Sequence, residues 1–134
     1  MSDQTSAPQL KTAIPILRIF SVEKAKEFYV DYLGFAVDWE HRFGDNFPLY
    51  AQISRSGLKL HLSEHHADAC PGATVFIWMR GIADFHRELT AQDYRYAKPG
   101  LEKAPWDAWV IEVADPFGNR LRFSEPFAPD DPRA

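Results

Sequence analysis

Residues 54–64, SRSGLKLHLSE, and residues 115–125, DPFGNRLRFSE, are two versions of one hairpin segment. Each contains a glycine turn followed by a strand in which apolar and polar side chains alternate, a pattern typical of a strand with one buried face. Four identical pairs mark the repeat: Gly57 and Gly118, Leu60 and Leu121, Ser63 and Ser124, and Glu64 and Glu125. The matched pair His61 and Arg122 differs, so the two copies share a backbone plan and differ in chemistry.

A strand, a helix and three further strands are predicted up to the end of the first hairpin. The helix has an N-cap at Ser21 and a glycine C-cap at Gly34, with apolar residues every three or four positions between them. The predicted strands of this first module lie at 13–20, 35–43, 47–54 and 58–64. One such unit is too small to bury the face of its own sheet, so we expect a second unit to pack against it.

The same order starts again after Gly72. The predicted elements are strands at 73–79, 94–99, 108–114 and 120–125, and a helix whose apolar stripe includes Ile82, Phe85 and Leu89. The sequence therefore predicts an α+β fold of two tandem βαβββ modules, about 13–66 and about 72–126, which form a curved mixed sheet with a concave cleft. We expect the whole chain, residues 1–134, to be a single domain.

Composition limits the functions that this chain can have. It carries 19 acidic and 15 basic residues, a net charge of −4, which gives no basic surface for nucleic acid. No apolar stretch approaches the roughly 18 residues of a membrane span, and the first residues lack the apolar core of a signal peptide. A single cysteine, Cys70, excludes an internal disulfide. We therefore expect a cytoplasmic protein with no nucleic-acid and no membrane partner.

Three segments carry a resemblance to a known family: ILRIFSVEKAKEFYVDYLGF at 16–35, VFIWMRGIADFHREL at 75–89 and WVIEVADPFGNRLRFSE at 109–125. Together they resemble the glyoxalase, bleomycin-resistance and extradiol-dioxygenase superfamily, also called the vicinal oxygen chelate superfamily. The pairing of FIWMRGI with KAPWDAWVIEVADPFGN is most similar to the bleomycin-resistance binding proteins. That resemblance implies the tandem-module, glyoxalase-like fold. It also implies a homodimer that sequesters a drug in aromatic clefts at the subunit interface and performs no chemistry.

The resemblance also marks four positions at which enzymes of the superfamily hold a divalent metal. In this sequence they fall at Ile14, His61, Thr74 and Arg122. Only His61 is a good ligand, since Ile14 has no donor atom, Thr74 is a poor ligand and the guanidinium of Arg122 repels a cation. We therefore expect no metal, no cofactor and no catalytic residue.

Strand alternation indicates which side chains share a face with His61 and Arg122. That face also carries Ile16, Arg18, Lys59, Ser63, Phe76, Trp78, Arg120 and Ser124. The candidate ligand-binding residues are Arg18, Trp39, His61, Phe76, Trp78, Trp106 and Arg122. Trp78 fits a core position as well as a cleft position, and Trp39 and Trp106 are either packing anchors or stacking surfaces for a planar ligand. The arginines of this face favour an anionic or carbonyl-bearing ligand.

Two functions remain open at this point. The first is a metal-free binding protein of the bleomycin-resistance type, which sequesters a planar ligand or antibiotic in an aromatic cleft at a dimer interface. The alternative is a metal-dependent glyoxalase-like lyase or isomerase, or a dioxygenase, that uses His61 with donors such as Glu125 and His65. The stretch HLSEHHADAC at 61–70 is rich in metal ligands, but its alternation favours a solvated linker between the modules.

Overall fold

The computed structural model describes residues 7–131 and contains two modules with the same element order. Module one consists of β1 (Ile16–Arg18), α1 (Val22–Ala25), a π-helix that continues α1 (Lys26–Tyr32), β2 (Ala36–His41), β3 (Tyr50–Arg55) and β4 (Leu58–Ser63). Module two consists of β5 (Thr74–Trp78), α2 (Ile82–Ala91), β6 (Glu102–Ala104), β7 (Ala108–Ala114) and β8 (Arg120–Pro126). The predicted α+β fold of tandem βαβββ modules is confirmed.

The first helix starts and ends where the sequence predicts. Ser21 is the N-cap, and its Oγ accepts a 3.1 Å hydrogen bond from the backbone N–H of Lys24. Gly34 follows the helix with a φ of 79°, a left-handed conformation that glycine adopts without strain. The buried face between these caps is Ala25, Phe28, Tyr29, Tyr32 and Leu33. The π-helical winding of the second half was not predicted by the apolar spacing.

Each module contributes one four-stranded mixed sheet. The strand order is β1-β4-β3-β2 in module one and β5-β8-β7-β6 in module two. In each module the first strand runs parallel to the last strand, β1 to β4 and β5 to β8. Within residues 7–131, no strand of one module is hydrogen-bonded to a strand of the other. The expected curved surface is therefore divided between two sheets, because the modules meet through helices and turns instead of strand edges.

The weak strand expected near 94–99 is absent, and the corresponding strand, β6, lies further along the chain. The 94–99 segment packs on the first helix instead. The ring of Tyr94 lies 4.7 Å from the ring of Tyr32, and the Tyr94 hydroxyl donates a 3.0 Å hydrogen bond to Glu27. Its aromatic residues, which favour a strand by propensity, are used here for a helix contact.

The two repeated hairpins connect the modules reciprocally. The hairpin turn of module one reaches α2, where the guanidinium of Arg55 pairs with both carboxylate oxygens of Glu88, at 2.9 and 3.0 Å. The hairpin turn of module two reaches the first helix, where the Tyr29 hydroxyl donates a 2.6 Å hydrogen bond to Asp115. Each copy of the repeat therefore packs against the helix of the other module.

Burial divides each sheet into a core face, packed under the helices, and a free face. The free face of module one carries Trp39, Tyr50, Gln52, Lys59 and His61, and the free face of module two carries Phe76, Trp78, Glu112, Arg120 and Arg122. Ser63 and Ser124, expected on the free faces, are fully buried. The Ser63 hydroxyl donates a hydrogen bond to Asp68, and the Ser124 hydroxyl donates one to the carbonyl of Trp109. In the described part of the chain, the helices are too short and too polar to cross a lipid bilayer.

Candidate functional site

A β-bulge in β2 shapes the free face of module one. The pairing register between β2 and β3 shifts between Val37 and Trp39, so Asp38 is the extra residue on its strand. The carboxylate of Asp38 accepts hydrogen bonds of 2.9 Å from the side chains of Gln52 and Ser54. The bulge therefore brings a tryptophan and an adjacent acid to the same face of the sheet.

A series of hydrogen bonds crosses this face and includes His61. The Tyr50 hydroxyl lies 2.6 Å from Nδ1 of His61, and Nε2 of His61 lies 3.0 Å from Oε1 of Gln52, whose amide nitrogen donates to Asp38. Because an amide oxygen only accepts, Nε2 of His61 carries the proton and Nδ1 accepts from Tyr50. The ring of Trp39 lies 5.4 Å from the imidazole. We call Asp38, Tyr50, Gln52 and His61 the His61 network.

The His61 imidazole is neutral at pH 7. Burial lowers the pKa of His61, and the positive charge of Lys59 lowers it further. In the neutral form, both ring nitrogens are already hydrogen-bonded to neighbouring side chains. A metal ion can therefore bind His61 only by displacing Tyr50 or Gln52.

Three aromatic rings form the centre of the free face of module two. Phe76 and Trp78 meet edge to face with centroids 4.8 Å apart, and the ring of Trp106 lies 6.1 Å from that of Phe76. The indole N–H of Trp106 donates a 3.2 Å hydrogen bond to the hydroxyl of Ser124, which fixes its orientation. Trp78 is 58% exposed, so it is a surface residue and not a core residue. We call Phe76, Trp78 and Trp106 the aromatic cluster.

Arg122 lies beside the aromatic cluster and is paired with an acid. Its Nε donates a 2.8 Å hydrogen bond to Oε1 of Glu112, and Arg120 lies 3.9 Å from the other carboxylate oxygen. In the sheet register, Arg122 is the neighbour of both Phe76 and Glu112. Arg122, Glu112 and Trp106 line a cavity of about 410 Å³. Two arginines therefore share one carboxylate, which leaves a net positive charge next to the rings.

The seven predicted site residues lie in three places. Trp39 and His61 lie together on module one, and Phe76, Trp78, Trp106 and Arg122 lie together on module two. The strand register puts Arg18 on the same face as His61, but among residues 7–131 Arg18 makes no hydrogen bond or ring contact with either group. The guanidinium of Arg18 stacks 4.4 Å above the ring of Phe20 and donates to the carbonyl of Ile19. Among residues 7–131, no ring contact or hydrogen bond joins the first group to the second. One chain therefore carries two separate groups of candidate residues, which we call the half-sites of module one and module two.

The other donors considered for a metal site have structural contacts. Glu125 accepts a 2.8 Å hydrogen bond from the backbone N–H of Ile82 at the start of α2, and Glu64 accepts one of 2.9 Å from Leu49. The ring of His65 contacts the edge of an exposed phenylalanine. No group of three or more His, Cys, Asp or Glu side chains in the described ranges is arranged to hold a metal ion.

Comparison with known proteins gives the family. A family model described as a glyoxalase superfamily protein matches residues 3–129. The chain belongs to the glyoxalase superfamily.

Several solved structures have a fold similar to that of this glyoxalase-superfamily chain. It is similar to a bleomycin-binding protein solved in complex with bleomycin, with a TM-score of 0.68 and 19% identity, over 88% of this chain and 100% of that one. The bleomycin resistance determinant encoded on transposon Tn5 has a TM-score of 0.68 and 17% sequence identity, and the match covers 89% of this chain and 100% of that one. TnmS3, an antibiotic binding protein from Streptomyces sp. CB03234, has a TM-score of 0.65 and 18% sequence identity, and the match covers 90% of this chain and 100% of that one. At these identities the likeness establishes a shared fold. No curated protein matches this chain significantly.

Four residues of the two half-sites were not expected from the sequence: Asp38, Tyr50, Gln52 and Glu112. Gln52 lies directly across the hairpin from His61, and Glu112 lies directly across from Arg122, so pairing the predicted strands residue by residue would have found both. The position of Asp38 depends on the bulge, which breaks the alternation on which the sequence argument relied.

Proposed function

We propose that this glyoxalase-superfamily chain is a metal-free binding protein of the bleomycin-resistance type. It sequesters a planar small molecule, such as an antibiotic, in an aromatic cleft at a homodimer interface. The observation that carries the proposal is the aromatic cluster, in which three rings are held in fixed geometry with 42% to 58% of each side chain exposed. Such ring faces stack on a planar ligand, each for about 0.5–1.5 kcal/mol.

The division into two half-sites supports a cleft between two copies. A ligand that is to be sequestered needs a second wall opposite the aromatic cluster, and within one chain Trp39 and His61 lie on the other sheet. We infer that a twofold axis places module one of one copy over module two of the other, which produces two equivalent clefts. One neighbour of similar fold is described as binding bleomycin, and TnmS3 is described as an antibiotic binding protein, which supports a small-molecule ligand of this kind here.

The charges of the two free faces select among planar ligands. On module two, Arg120 and Arg122 share Glu112, and on module one Asp38 offsets Lys59. The basic side chains of the two faces, Arg18 included, therefore outnumber the acidic ones. A planar ligand with an anionic or carbonyl group complements this charge better than a cationic glycopeptide does.

The His61 network supports binding without a metal. The one superfamily ligand position that retains a histidine already has both ring nitrogens hydrogen-bonded by Tyr50 and Gln52. We infer that the protein uses no metal and no other cofactor. We also infer that residues 1–134 act as a single domain in the cytoplasm, with no nucleic-acid or membrane partner.

Calorimetric titration with anthraquinone-2-sulfonate, a planar anionic diketone, tests this function. We expect saturable binding that Trp106→Ala weakens by about five- to 150-fold, the equivalent of about 1–3 kcal/mol. Tyr96→Ala is the matched control, because Tyr96 is an exposed ring that contacts Tyr94 and belongs to neither half-site, and its titration should equal that of the wild type. Equal affinity of the wild type and Trp106→Ala would contradict the proposal.

A further inference from the structure

A second cavity lies at the seam between the two modules. Its volume is about 570 Å³, within the usual range of small-molecule sites. Its apolar wall is formed by Phe35, Leu58, Ile77, Met79, Phe85 and Phe123, which come from both modules. The cavity is therefore formed where the hairpin turn of module one packs against β5 and α2 of module two.

This cavity lies on the opposite side of β5 from the centre of the aromatic cluster. Side chains alternate along the strand, so Ile77 belongs to the core face while Phe76 belongs to the free face. Trp78 borders both regions, whereas Trp106 borders only the free face. The two regions therefore share Trp78, and Trp106 is the member of the aromatic cluster that distinguishes them.

The mouth of the cavity carries one unpaired positive charge. Among its charged residues, Arg55 is paired with both carboxylate oxygens of Glu88. The carboxylate of Asp84 is paired with Arg87, one helical turn along α2. Arg80, exposed at the rim, makes no hydrogen bond or ion pair with any residue in the described part of the chain. An anionic group is therefore the complement that the mouth lacks.

We propose that the seam cavity binds an amphipathic carboxylic acid of the fatty-acid class. Its carboxylate pairs with the guanidinium of Arg80, and its apolar tail lies against the wall that includes Leu58 and Met79. A neutral apolar molecule would use the wall and leave Arg80 without a partner, and a cationic amphiphile would meet a like charge. A carboxylate uses both features of the site.

The methionine content of the chain provides a direct readout. The sequence contains two methionines, Met1 and Met79, and Met79 lines the cavity. In protein labelled with ¹³C at the methionine methyl groups, titration with decanoate should shift the Met79 signal, which Met79→Leu assigns by its loss. Decanol should shift the Met79 signal at higher concentration, and decyltrimethylammonium should leave it unchanged.

Three variants separate the parts of the proposal. Arg80→Gln should weaken decanoate binding about tenfold and leave decanol binding unchanged, because it removes the charge and keeps the wall. Leu58→Trp should fill the cavity and abolish the response to both compounds. Trp106→Ala damages the proposed aromatic cleft alone, so its decanoate titration should equal that of the wild type.

Three outcomes would overturn the proposal. The first is an unmoved Met79 signal in wild-type protein at millimolar decanoate. The second is equal decanoate affinity of the wild type and Arg80→Gln, which would remove the role of the charge. The third is loss of decanoate binding in Trp106→Ala, which would assign the binding to the aromatic cleft.

Discussion

The hydroxyl of Tyr50 lies 2.6 Å from Nδ1 of His61, at the position where the superfamily resemblance places a metal ligand. Burial raises the pKa of Tyr50, and the charge of Asp68 raises it further, so the phenol keeps its proton and donates it. A neutral His61 supplies the matching acceptor. The Tyr50 hydroxyl thus binds the ring nitrogen, Nδ1 of His61, that would otherwise be available to a metal ion.

The pH dependence of stability should reflect His61. Its pKa is lowered in the folded state, first by burial, so protons bind the unfolded chain more readily. The contribution of His61 to the free energy of unfolding is therefore complete above the pKa of histidine in the unfolded chain, and it is lost as pH falls through the lower pKa of the folded state. Urea unfolding should show a larger loss of stability between about pH 7.5 and pH 5 in the wild type than in His61→Asn. Parallel pH profiles of the two proteins would contradict this role of His61.

Purified protein should contain no stoichiometric divalent metal. His61 has both ring nitrogens engaged, and the other superfamily positions, Ile14, Thr74 and Arg122, provide no good ligand. Elemental analysis of protein prepared without chelator checks this. About one zinc, nickel, manganese or iron ion per chain, removable with loss of an activity, would favour the enzyme alternative.

Truncation of two tryptophans of module two should destabilise the protein to very different extents. Trp78 is 58% exposed, so Trp78→Ala should cost less than about 1 kcal/mol of unfolding free energy. Trp109 is 9% exposed and belongs to the core, so Trp109→Ala should cost about 3–5 kcal/mol. Thermal melting distinguishes the two variants before any ligand is known. A depression of the Trp78→Ala melting temperature by more than about 10 °C would show that the face assignment of β5 is wrong.

Asp115 should be among the most sensitive residues of the module contact. Its buried carboxylate accepts the Tyr29 hydroxyl and the backbone N–H groups of Phe117 and Asn119. Asp115→Ala leaves these donors without a partner, at a cost of about 3 kcal/mol or more. Urea unfolding measures this, with Asp45→Ala, at an exposed turn position, as the control. Similar unfolding midpoints for the two variants would contradict the importance of this contact.

The sequence predicted the backbone plan well where local chemistry determines it. Ser21 and Gly34 mark the ends of the first helix because capping depends on a few neighbouring atoms. The strand at 108–114 agrees with the structure residue for residue, since its largely apolar run is bounded by Asp107 and Asp115, which lie in turns. The misassigned 94–99 segment is rich in tyrosine, whose rings serve a contact with a helix distant in sequence.

The candidate site was predictable only one strand at a time. Alternation placed His61, Phe76 and Trp78 on the free faces. It did not provide the partners Tyr50 and Glu112, because these depend on the register between strands and not on the sequence of one strand. The separation of the two half-sites follows from how the modules pack, which no local pattern encodes.

Mixing two damaged variants shows whether the cleft is shared between two copies of the chain. Trp39→Ala damages module one, and Trp106→Ala damages module two. In a heterodimer of these variants, one cleft combines both lesions and the other is intact, so refolding an equal mixture should restore wild-type affinity for anthraquinone-2-sulfonate in one cleft of about half of the dimers. Calorimetric titration of the mixture should therefore show a tight phase that neither variant shows alone. A mixture that binds only as weakly as the separate variants would place the cleft within one chain and contradict the account.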